Sequence, residues 1–266
     1  MNKGLVNNFG RAVLIGTIGL CYSSIALADA EKHLSIAVAS NFTATAKKLF
    51  SRFEQQYATK ITVSSGSSGA IYAQLIHGAP FDVFLSADTL RPELLEQQTL
   101  ILSGTRLTYA RGQLALWDKG LDVNNLPVDA KSILTVLNNT RRLSMANPTT
   151  APYGSAAKQL LKKLGIWSAL SSNVIQGNSV LQAYQFVETA NVNRGLVAYH
   201  LVKNQTHVLP IPEKLSPFID QQMVVLKHTK NIQLAKALQV FLLSDDVQRQ
   251  LLSQGYANLN IPRESI

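Results

Sequence analysis

The sequence predicts an α/β fold made of two units with a ligand cleft between them. Three observations carry this. Short apolar runs alternate with amphipathic stretches from residue 34 onward, the pattern of strands feeding crossover helices. Four of the junctions share one grammar: strand, short polar turn, helix start. The alternation changes character near Arg106, and a tail of helical periodicity follows the second unit.

Residues 1–28 read as a secretory signal. Lys3 and Arg11 give a positive start, Ala12 to Leu20 is apolar, and Ala26-Leu27-Ala28 is a small-x-small cleavage site, with Ala30 offering a second small residue. The apolar run is too short to span a membrane. Cys21 is the only cysteine and follows Leu20, not the small residue of a lipoprotein box, so no lipid anchor is expected. Cleavage leaves a chain without thiol or disulfide chemistry. An exported, periplasmic protein follows.

The full chain carries 25 Lys and Arg against 16 Asp and Glu. Without Lys3 and Arg11 the balance is 23 against 16, or +7. The basic residues are scattered and not interleaved with aromatics, which reads as a solvated surface and excludes a nucleic-acid groove.

Leu34 to Ala39 is a buried strand, ending at Ser40-Asn41. Phe42, Ala46, Leu49, Phe50 and Phe53 then recur at helical spacing with Lys47, Lys48, Arg52 and Glu54 between them. Ile61–Ser65 is a second strand, and Ala70–Ile76 a helix stopped by Gly78. Between them lies Ser64-Ser65-Gly66-Ser67-Ser68-Gly69, the stretch around which the chain is organised. Its serines either cap the helix or, with the free N–H groups of the first turn, hold an anion by neutral dipoles. Asp82–Ser86 is a third strand and Thr89–Gln98 a third helix. Such alternation predicts a parallel sheet, with ligands bound beyond the carboxyl ends of its strands.

Arg106–Ala110 and Gln113–Trp117 read as strands separated by Arg111-Gly112. A helix around Ser132–Leu137 leads to a strand at Arg142–Ala146. Asn147-Pro148-Thr149-Thr150-Ala151-Pro152-Tyr153-Gly154 then opens a helix, Ser155 to Leu164. Val174-Ile175, the turn Gly177-Asn178-Ser179-Val180 and a helix Leu181–Glu188 repeat the motif, and Gly195–Tyr199 is a last short strand. Helices at Asn231–Leu243 and Val247–Gln254 form the tail. Lobe 1 is assigned to residues 29–109 plus 222–266 and lobe 2 to residues 110–221.

Enzymatic and metal readings find no support. Gly66-Ser67-Ser68-Gly69 is not the Gly-x-Ser-x-Gly elbow of a hydrolase. The five histidines form no metal-binding spacing. Asp82 reads as a strand-start residue and Asp88 as a helix cap, since acids beside an anion would repel it.

The sequence resembles the periplasmic molybdate-binding proteins of ABC transporters (ModA). The resemblance rests on Ala39-Ser40-Asn41-Phe42, Ser65-Gly66-Ser67-Ser68-Gly69, the block Gly78-Ala79-Pro80-Phe81-Asp82-Val83-Phe84-Leu85-Ser86-Ala87-Asp88, Asn147-Pro148 with Ala151-Pro152-Tyr153-Gly154, Asn178-Ser179-Val180 and Gly195-Leu196-Val197-Ala198. It implies the type II periplasmic binding protein fold, two α/β lobes joined by two crossover strands. It further implies a molybdate or tungstate ligand and no cofactor, a membrane permease as partner, and a monomeric carrier that is not an enzyme. By alignment the oxyanion is held by Ser40 and Asn41, by Ser68, and by the backbone amides of Tyr153 and Val180. Some family members place a tyrosine where this chain has Ala198, and Tyr199 beside it is expected to face the other way. This chain looks closer to the branch that uses an asparagine like Asn41. The alternatives within reach are a sulfate or other oxyanion binder of the same fold, and a periplasmic hydrolase.

Overall fold

A computed structural model describes residues 33–120 and 126–259; the signal-peptide reading lies outside them. The first lobe begins with β1 (His33–Ala39), a 3-10 turn over Ser40–Phe42, α1 (Thr43–Tyr57), β2 (Lys60–Gly66), α2 (Ser68–Ile76), β3 (Val83–Leu85), α3 (Leu90–Gln97) and β4 (Leu107–Gly112). The second lobe holds β5 (Leu114–Asp118), α4 (Ala130–Asn138), β6 (Leu143–Ala146), α5 (Pro152–Lys163), α6 (Trp167–Leu170), β7 (Val174–Gly177), α7 (Val180–Glu188), β8 (Arg194–Ala198), α8 (Tyr199–Val202) and β9 (Val208–Pro210). The chain then returns through β10 (Ile219–Val225), α9 (Ile232–Leu243) and α10 (Asp245–Ser253).

Each lobe is built on a five-stranded sheet, ordered β2-β1-β3-β10-β4 in the first and β7-β6-β8-β5-β9 in the second. The sheets are mixed, not wholly parallel as the alternation suggested. Three strands in each run parallel, β2-β1-β3 and β7-β6-β8, and β10 and β5 join them antiparallel. The reason is topological: each antiparallel strand belongs to a connection between the lobes and enters its sheet from the opposite end. Arg111-Gly112, read as a turn, is the end of β4, and Gln113 alone separates it from β5.

The alternation of side chains across β1 sorts the first core. Leu34, Ile36 and Val38 face α1, α9 and α10, packing with Phe42, Phe50, Phe53 and Leu238, while Ala37 faces α2 and α3 with Ile71, Leu75, Phe84 and Leu95. All five apolar residues of the predicted α1 face are buried. Each large one contributes roughly 1.5–3 kcal/mol by leaving water. Ala39 and Ala87 of the first lobe pack into the second lobe's core beside Tyr153 and Val180. Among the described residues no helix is long and apolar enough to cross a membrane.

Candidate functional site

Four helical segments open onto one small gap between the lobes. It is lined by Ala39, Ser40, Asn41, Ser67, Ser68, Ala87, Ala151, Pro152, Tyr153 and Val180, around a cavity of about 10 Å³. The structure therefore brings together all five residues singled out in the sequence. Ser40 and Asn41 follow β1, Ser68 opens α2 after β2, Tyr153 is the second residue of α5 after β6, and Val180 is the first of α7 after β7. Each stands where a strand's carboxyl end meets a helical turn, and the first-turn N–H groups of a helix have no partner within it.

The local chemistry fits that geometry. Ser67, not Ser68, caps α2, its hydroxyl accepting from the Ala70 N–H at 3.4 Å. The wholly buried Ser68 hydroxyl accepts from the Ala87 N–H at 2.9 Å, which leaves its own hydrogen to donate. Pro152 occupies the first position of α5, where a missing N–H costs nothing, and places the Tyr153 N–H next. Ser179 caps α7 through the Gln182 N–H at 3.2 Å. Ser40 and Asn41 form the 3-10 turn, and neither side chain caps α1. The Asn41 side-chain amide donates to Gln221 Oε1 at 2.9 Å, and the Asn41 backbone carbonyl meets His200 Nε2 at 2.9 Å.

No lining residue is charged. Arg91, which reaches the loop before α5, is spoken for: it pairs with Asp88 and donates to the Thr149 carbonyl at 2.9 Å. Asp88 also accepts from the Arg91 N–H at 3.1 Å, as a helix cap should. Asp82 does more than start a strand. Its two oxygens accept from the Ser35 N–H at 2.8 Å and the Thr229 hydroxyl at 2.5 Å, tying β1 to the segment after β10. Burial pushes the phenols of Tyr109 and Tyr153 well above their ordinary range, with the neighbouring Tyr256 adding to it, so both remain neutral.

Tyr199 does not join this lining. It opens α8 where the sequence suggested the end of a strand, and lines a wider groove with Arg111, Lys203, Glu213 and Tyr256. Among the described residues no group of three His, Cys, Asp or Glu side chains could hold a metal ion. Sequence reasoning missed Ala87, which supplies a wall of the gap, and it missed Gln221 and His200, which grip Asn41 from behind. No local signal marks these two, because their partners are 180 and 159 residues away.

Comparison with known proteins agrees with this architecture. Residues 34–257 match the family model described as bacterial extracellular solute-binding protein. The chain is 37% identical over 254 residues to the molybdate-binding protein ModA of Azotobacter vinelandii, covering 94% of this chain and 98% of that protein. It is 35% identical over 234 residues to ModA of Rhodobacter capsulatus, covering 87% and 91%. The solved structure of an Azotobacter vinelandii periplasmic molybdate-binding protein superposes with a TM-score of 0.78 at 31% identity, covering 86% of this chain and all of that one. A sulfate-binding protein of Mycobacterium tuberculosis superposes with a TM-score of 0.69 at 11% identity, a likeness of fold alone.

Proposed function

This chain belongs to the ModA family of bacterial solute-binding proteins, and on that premise we propose that it captures molybdate, and tungstate with it, between its lobes and delivers the oxyanion to the membrane permease of an ABC transporter. It acts in the periplasm as a monomeric carrier, not an enzyme, after its first 28 residues are removed. One observation carries this reading: five donors-in-waiting from four strand-to-helix turns line one uncharged gap. Ser40 and Ser68 donate hydroxyl hydrogens, Asn41 its amide hydrogens, and Tyr153 and Val180 their backbone N–H groups. Helix N-termini favour negative charge there without any counter-charge from a side chain.

The donor set also supports a preference among oxyanions. A hydroxyl that accepted the proton of hydrogen phosphate would give up its own donation to the anion, so that anion is held by fewer bonds or leaves an unpaired O–H. Sulfate has the right charge but shorter bonds to oxygen. Donors fixed on close-packed lobes cannot all move inward to meet it, and a donor left too far away loses most of its bond.

Titration calorimetry at fixed ionic strength tests this. Molybdate and tungstate are expected to bind about equally, one per chain, with sulfate weaker by orders of magnitude and phosphate hardly bound. Sulfate displacing molybdate at comparable concentration would reassign the protein to the sulfate binders.

A further inference from the structure

Behind the gap lies a buried polar cluster that the binding residues do not include. Gln221, on β10 and wholly buried, touches three side chains from three parts of the chain. Its Oε1 accepts from the Asn41 amide at 2.9 Å and the Tyr109 hydroxyl at 3.3 Å, and its Nε2 donates to the Tyr153 hydroxyl at 3.5 Å. Tyr109 also donates to the Ser86 carbonyl at 3.2 Å. One atom in the cluster is left over: Asn41 Oδ1 is buried without a hydrogen-bond partner. An orphaned buried acceptor is costly.

A fully deprotonated oxyanion such as molybdate accepts and never donates, so Oδ1 cannot be the atom that Asn41 turns toward it; only its NH2 can. A half-turn of each planar amide exchanges N and O without moving anything else. With both turned over, Gln221 Nε2 donates to Asn41 Oδ1 and to the Tyr109 oxygen. Tyr109 keeps its bond to the Ser86 carbonyl, and the Tyr153 hydroxyl donates to Gln221 Oε1. The orphaned acceptor is then satisfied, and the Asn41 NH2 stands at the partnerless position that Oδ1 held, directed away from Gln221 with hydrogens left to donate.

We propose that Gln221 is a positioning residue for the oxyanion site: by donating to Asn41 Oδ1 it turns the Asn41 NH2 toward the ligand and so fixes this position as a donor. It touches no ligand itself. It does this because it is an amide held between two neutral phenols, able to donate on one side and accept on the other. The inference rests on the binding role given to Asn41 above.

A double-mutant cycle with molybdate tests it. Gln221→Met keeps the length of the side chain and removes both hydrogen-bonding ends. Asn41→Ala removes the amide that Gln221 positions. Each single variant is expected to lose roughly tenfold or more in affinity, the value of one hydrogen bond to a charged group. The double variant is expected to bind no worse than Asn41→Ala alone, because Gln221 acts only through Asn41. A full-strength Asn41→Ala would overturn the binding role of Asn41. A weakened Asn41→Ala with losses that simply add would overturn the positioning role alone. Should Gln221→Met not fold, the native protein answers by nitrogen-15 NMR. The side-chain amide pairs of Asn41 and Gln221 are both expected to shift when molybdate is added, and an unmoved Asn41 pair overturns the proposal.

Discussion

The Gly69 N–H donates to the Thr150 carbonyl at 2.8 Å, joining the first turn of α2 in one lobe to the loop before α5 in the other. The two backbones pass so closely that a Cβ on Gly69 would lie 2.8 Å from the Thr150 oxygen and 2.9 Å from its Cα. The contact sits at the rim of the gap, beside the Arg91 bond to the Thr149 carbonyl. Small size at residue 69 is therefore a condition for the lobes to meet in this way.

Gly69→Ala should hold the lobes apart without disturbing either core, because the clash lies between them. We expect molybdate affinity to fall roughly tenfold or more, since a misplaced N–H or hydroxyl forfeits a charge-assisted bond. Melting without ligand should change by less than about 1 kcal/mol. Calorimetry together with small-angle scattering checks both, and an unchanged affinity would show that the lobes close elsewhere.

Ser67 and Ser68 are neighbours with different duties. Ser67→Ala removes a helix cap and should cost ~1 kcal/mol of stability with little effect on binding. Ser68→Ala removes a wholly buried hydroxyl lining the gap. Affinity for molybdate should drop roughly tenfold or more. Equal losses of affinity from the two variants would mean that the hydroxyl meeting the ligand has been misassigned.

His200 makes the protein sensitive to acid. Its ring is buried, stacked on Tyr256 at 4.2 Å and edge-on to Tyr153, and burial pulls its pKa down to about 4. The hydrogen bond to the Asn41 backbone carbonyl works against that shift without outweighing burial. Because the folded value lies below the ordinary 6.5, stability is full above that pH and is lost as pH falls toward 4. At 1.36 kcal/mol per pH unit the loss reaches about 3 kcal/mol. His200→Gln can still donate to the Asn41 carbonyl but cannot titrate, so its stability should fall less steeply between pH 6.5 and 4.5. Parallel curves from urea unfolding of the two proteins would show that His200 does not govern this slope.

What the sequence by itself determined is local. The spacing of Phe42, Ala46, Leu49, Phe50 and Phe53 dictates α1, because a helix must bury one stripe. Ser67 before Ala70, Pro152 before Tyr153 and Ser179 before Gln182 mark helix starts within three residues of themselves, so the turns that open onto the gap are local in origin, whereas the choice of Asn41, Tyr153 and Val180 within them came from the family resemblance. Cap chemistry and periodicity act over one or two turns and are written in adjacent letters. The tertiary structure alone decided that β10 and β5 run antiparallel, since strand order depends on where the chain re-enters a sheet. It alone decided what Asn41 does. An asparagine after a strand reads as a cap, yet here its side-chain amide meets Gln221 while its backbone carbonyl meets His200. A side-chain amide bonds whichever group folding brings within about 3 Å, and packing of the two lobes, not the neighbouring sequence, chooses that group.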